Sequence, residues 1–131
     1  MNHKPPTTLY LWLSISLYVL SLLLPAAIIP DFERGVPETH IGWEILTMGW
    51  AGLLALQPAW LANIFYMMGL ITYGSKYCKI FMFIALVLAL CSPLVLVSHL
   101  LIGFYFWIGS FILLMYGNNL HPQSVEKINR V

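Results

Sequence analysis

Apolar residues along this chain fall into long runs separated by short polar segments, and the run lengths predict the elements. A helix rises about 1.5 Å per residue, so about 20 apolar residues cover the roughly 30 Å hydrocarbon layer of a bilayer. Residues 9–29 carry no charge and meet that length. Lys4, Pro5 and Pro6 precede the run, and Pro30 stops it, because proline lacks the N–H that a helix interior needs. A signal-peptide core runs only about 7–15 residues, and Ala26 and Ala27 beside Leu24 and Pro25 make a poor cleavage site, so the run is expected to be a retained anchor. Residues 31–40 read as a charged loop.

The stretch 41–74 is apolar and about twice as long as one span requires. Pro58, following Gln57, divides it and reads as a helix start, where a missing donor costs nothing. Residues 58–74 then form a second span. In the first piece, 38–56, His40, Glu44, Thr47 and Ala51 recur at spacings of four, three and four, one narrow polar stripe on a helix. That pattern predicts an interfacial helix, or the first half of a bent one. Residues 75–79 make a short basic loop. The uncharged stretch 80–117 holds two more spans, 80–97 and 101–117, with the turn at 98–103 around Ser98 and His99. A turn at Ser92-Pro93 is the rival placement. Residues 118–131 form a polar tail. The expected fold class is therefore all-α. It is a single domain over 1–131, an integral membrane bundle of four transmembrane helices with an interfacial or bent segment at 38–56.

Composition points the same way. The 131 residues are 60% hydrophobic and 8% charged, against about 25% charged in soluble domains. So short a chain has too little interior to hide that much apolar side chain. The net charge of +1 gives no basic surface for nucleic acid. Placed on four spans, Lys4, Lys76, Lys79, Lys127 and Arg130 share one side, while Asp31, Glu33, Glu38 and Glu44 share the other with Arg34. Basic residues collect in cytoplasmic loops, so this predicts a multi-pass protein of the cell inner membrane with both termini cytoplasmic. A five-span arrangement would move Lys76 and Lys79 to the wrong side.

Candidate chemistry is sparse. His40 and Glu44 share a helix face at i and i+4, and His99 falls at a turn on the same side, so the three are candidate metal ligands. The competing reading is a solvated stripe with a local His40–Glu44 pair. A haem would need two axial histidines on facing helices, and His3 and His121 lie outside the spans, so no cofactor is expected. Cys78 and Cys91 lie about 20 Å apart on one helix, too far for a disulfide. Ala51, Ala55, Ala59, Ala62 and Gly69 repeat at helical spacings that let backbones approach, and Asn63 is an amide seeking an interhelical hydrogen bond.

The chain resembles small multi-pass inner-membrane proteins of bacteria, of uncharacterised families, through Gly42-Trp43, Gly49-Trp50, Trp60-Leu61-Ala62-Asn63 and Gly103-Phe104-Tyr105-Phe106-Trp107. That resemblance implies a four-helix membrane fold and carries over no catalytic residue. Three functions follow as expectations. The first is a non-enzymatic accessory or immunity-type protein acting through protein–protein contacts, with the lipid bilayer and a membrane protein or a second copy as partners. The second is an oligomeric transporter or channel subunit. The third is a metal-dependent membrane enzyme using His40, Glu44 and His99.

Overall fold

The computed structural model describes residues 7–30, 35–51, 58–92 and 99–121. Helix α1 (Thr7–Leu23) leads into strand β1 (Pro25–Pro30), followed by β2 (Pro37–Ile41) and the short helix α2 (Gly42–Met48). A 3-10 turn at Pro58–Trp60 opens α3 (Leu61–Ile71). Helix α4 (Lys76–Leu90), the two-residue strand β3 (His99–Leu100) and helix α5 (Ile102–Asn119) complete the order.

Helix α1 stops at Leu23, two residues before Pro25, because a proline disfavours helical geometry in the residue ahead of it. Ile28 and Ile29 beyond it are β-branched and suit an extended strand. β1 is the centre of a three-stranded sheet, antiparallel to β2 on one side and to β3 on the other. Ala27 faces His40 and Ile28 faces Thr39 across the first pair, while Ala27 faces Leu100 and Ile28 faces His99 across the second. The chain passes directly from β2 into α2, where the Ile41 N–H donates to Glu44 Oε2 at 3.2 Å. A carboxylate in the first turn also suits the partial positive charge of a helix N-terminus.

The α1–β1 bend is packed tightly from two sides. A Cβ at Gly42 would collide with the backbone at Ser21 and Leu22, and one at Gly103 would lie 2.8 Å from the Pro25 carbonyl oxygen. Only glycine lets α2 and α5 begin this close to the bend. The Gly42 N–H donates to the Leu24 carbonyl at 3.1 Å, and the Leu101 N–H donates to the Ala26 carbonyl at 2.9 Å.

Buried positions follow helical periodicity: Ser14, Tyr18 and Ser21 on α1; Ala62, Tyr66 and Gly69 on α3; Cys78, Met82, Ala85 and Ala89 on α4. Phe111 and Leu114 of α5 complete the core. The inward faces are thus rich in small and polar residues. Large apolar side chains turn outward, among them Trp12 and Leu23 on α1 and Phe83 and Leu90 on α4. Burial pushes the Cys78 thiol up to about 11, so it stays protonated at neutral pH.

These observations correct the expected fold in two respects. The chain is not all-α, because the run 9–29 splits into a helix and the central strand of a sheet, and the segment expected to be helical from residue 38 begins as β2. Further, among the described residues no helix is long and apolar enough to cross a membrane. Helices α1, α3 and α4 have 17, 11 and 15 residues, and α5 has 18 but closes on Asn118 and Asn119. Even α5 reaches only about 27 Å at the helical rise. The integral membrane bundle of four transmembrane helices, the multi-pass inner-membrane placement and the cytoplasmic assignment of both termini are withdrawn together, since each rested on those spans. Of the alternatives for the last turn, Ser92 closes a helical turn and β3 precedes α5, while Pro93 and residues 94–98 lie outside the described residues.

Candidate functional site

A network of polar side chains runs through the helical core. Ser14 Oγ donates to the Ser110 carbonyl at 2.7 Å, which uses its single proton. The Tyr66 phenol is therefore the donor in its 2.9 Å bond to Ser14 Oγ. Tyr66 stacks on Tyr18, with ring centroids 4.5 Å apart and planes 14° from parallel. The Tyr18 phenol donates to Asn63 Oδ1 at 3.0 Å, and Trp107 Nε1 donates to the same oxygen at 2.9 Å. Asn63 thereby joins α1, α3 and α5 through one acceptor atom. Burial first, and the neighbouring Tyr66 second, raise the Tyr18 phenol to about 12. It remains a proton donor at any ordinary pH.

Asn63 also donates one amide N–H to the Trp60 carbonyl at 3.1 Å. Among the described residues its second N–H meets no acceptor. Beside it opens a cavity of about 320 Å³, between the sheet, α2 and the ends of α3 and α5. Its walls are mainly apolar, with Ala27, Ile45, Leu46 and Leu100 joined by the aromatic Trp60, Phe104 and Trp107. Two of the rings are pinned. Trp60 Nε1 donates to the Leu46 carbonyl at 2.8 Å, and Trp107 is held by Asn63. Gly49 makes room for Trp60, since a Cβ there would lie 2.6 Å from the ring. His40 and Glu44 also line the cavity. Their Nδ1 and Oε2 atoms lie 3.3 Å apart, with the two side chains 33% and 52% exposed.

The sheet register decides the fate of the expected metal set. Successive residues of a strand point to opposite faces, and directly paired residues share a face. His40 pairs with Ala27 and His99 pairs with Ile28, so the two imidazoles leave β1's neighbours on opposite faces. Only His40 and Glu44 of the three come together, and among the described residues no group of three or more ligating side chains forms. The same separation keeps His99 out of any polar stripe with His40, Glu44 and Asn63. Of the small-residue series, Ala59, Ala62 and Gly69 are buried inside the chain, and Gly69 packs against the Met82 side chain. Ala51 is exposed, and Ala55 lies outside the described residues.

Sequence reading leaves Tyr18 aside and takes up Trp60 and Trp107 only through the resemblance. Tyr18 and Trp107 meet on Asn63 from positions 45 and 44 residues away, a convergence that no local pattern signals, while the Trp60 carbonyl lies three residues from it. The available signal was Asn63 itself, an amide in an apolar run. Searches against protein-family models, characterised proteins and solved structures found no match.

Proposed function

We propose that this chain is a non-enzymatic protein of the accessory or immunity type, which acts by packing its apolar outer helix faces against another protein. The reading is carried by one observation: beyond the large side chains that fill the core, all four long helices leave large apolar side chains standing outward. Trp12 and Leu23 of α1 are 65% and 68% exposed, Ile71 of α3 is 80% exposed, and Phe83 of α4 is 65% exposed. Proteins that act alone seldom leave contiguous apolar patches of more than a few hundred Å², and larger ones mark contact surfaces. The occupant argued for is an apolar helical surface, because ridges of large apolar side chains interlock with grooves of the same chemistry.

The test is photo-crosslinking in cells from a photoreactive phenylalanine analogue placed at Phe83, with identification of what is captured. The expected result is one defined protein, captured from Phe83 and lost when Ile80 and Val87, which flank it on the outer face of α4, are both changed to Arg. Those two side chains are 51% and 48% exposed, so the change leaves the buried core untouched. Capture of the chain by itself alone, or of no protein, overturns the reading.

A further inference from the structure

The cavity beside Asn63 carries an inference independent of the outer faces. The geometry points to a binding site for a hydrophobic organic cation, an alkyl- or arylammonium ion with an apolar body. Three observations converge. The volume of about 320 Å³ lies within the range of small-molecule sites, about 300–1,000 Å³, and its wall is predominantly apolar. Trp60, Phe104 and Trp107 all line it, and the electron-rich face of an aromatic ring attracts an organic cation, Trp most strongly. Glu44 is the single formally charged side chain among the described lining residues, none of which is Lys or Arg. An anion would meet repulsion from that carboxylate. A neutral apolar molecule would make no use of it.

The rings are also preorganised. Trp60 is fixed by the Leu46 carbonyl and Trp107 by Asn63 Oδ1, so neither indole loses much freedom when a ligand enters. Glu44 is held at the cavity by His40 and by the Ile41 N–H. An ammonium head would meet both the carboxylate and an aromatic face, with the apolar body filling the rest of the cavity. The spare Asn63 N–H would serve a ligand that carries an ether or carbonyl oxygen on that body.

The test uses the full chain and three probes of similar size: benzyltrimethylammonium, its neutral isostere neopentylbenzene, and the anion phenylacetate. Binding is read from quenching of tryptophan fluorescence and checked by calorimetry. The expected result is that the cation binds about tenfold or more tightly than the neutral isostere, in keeping with a desolvated cation–aromatic contact, and that phenylacetate does not bind. Glu44→Gln keeps an acceptor for the Ile41 N–H while removing the charge, and should erase most of that preference. Equal binding of cation and isostere, preference for the anion, no binding of any probe, or an unchanged preference in E44Q overturns the proposal. The three-probe comparison on the unmodified chain decides the matter even if the variant folds poorly.

Discussion

At one end of the helical body, Asn118 of α5 closes the turn between α3 and α4. Its Oδ1 accepts from the Gly74 N–H at 2.7 Å, its Nδ2 donates to the Ser75 carbonyl at 3.1 Å, and the side chain is fully buried. Gly74 adopts a φ of 88°, which a side chain would make strained, so the turn's shape and its clamp are set together. Tyr73 adds a bond from its phenol to the Thr7 carbonyl at 2.7 Å, tying in the start of α1. At the other end Asn63 does similar joining work, but its oxygen takes two side-chain donors while its amide nitrogen gives one N–H to the Trp60 carbonyl, it is only half-buried, and it lines a cavity. The same amide seals one end and lines an opening at the other. The difference lies in the partners. Asn118 binds the backbone of one tight turn from both ends of its amide, whereas Asn63 gathers side chains of α1 and α5 on its oxygen beside an open cavity.

That contrast is breakable in order of effect. Asn118→Ala should cost most, about 2–3 kcal/mol, because it removes a fully buried side chain and leaves a half-buried N–H and carbonyl of a tight turn without this partner. Denaturant unfolding measures it, and a loss below that of Asn63→Ala would reverse the ranking of the two ends. Asn63→Ala should cost less, about 1–2 kcal/mol, since water entering the cavity can replace the lost acceptor for Tyr18 and Trp107. Its separate signature is a change in the Trp107 emission spectrum as the indole N–H becomes hydrated. Tyr18→Phe should cost least, about 1 kcal/mol, because Asn63 Oδ1 keeps its bond from Trp107. The folded-state phenol titrates near 12, above its ordinary value of 10.0. The stability it contributes is therefore fully present below pH 10 and is lost as pH rises through about 12. The gap between the parent chain and Tyr18→Phe should thus stay constant from pH 6 to 9 and close in alkali. A gap that widened there would contradict the burial of this phenol.

The same two ends mark how far the fold can be read from the sequence. Pro58 as a helix opening is local chemistry, and the structure starts a helical turn there. Ser75 accepts the Tyr77 N–H at 3.2 Å as the N-cap of α4, again a local event. The sheet is another matter. The run 9–29 is uncharged throughout, and its last stretch, Leu22 to Ile29, has no polar residue whose period would separate a helix from a strand. Pro25 is the one legible sign of the break. The pairing of β1 with residues 99–100 depends on chain segments 70 residues away. At the site, Asn63 is legible as an amide seeking a partner. The convergence of Tyr18 and Trp107 on its oxygen, and the separation of His40 from His99, follow from register and packing that only the folded chain displays. The apolar composition is read correctly as a quantity. Its placement, outward on four helices too short or too polar at their ends to cross a bilayer, is a property of the fold.

The packing of α1 against α5 has a consequence for how the chain is made. Ser14 donates to the carbonyl of Ser110, so the first of the described helices to leave a ribosome is partnered by the last of them. Domains emerge N-terminus first, at roughly 5–20 residues per second. Throughout that interval the inner face of α1 has no α5 to bury it, and the outer face of α1 is apolar as well. Helices α3 and α4 are joined by a short turn and can pair during synthesis, but α1 stays incomplete until the final helix arrives. A chain truncated within α5 should therefore be a client of chaperones, and restoring α5 should release it.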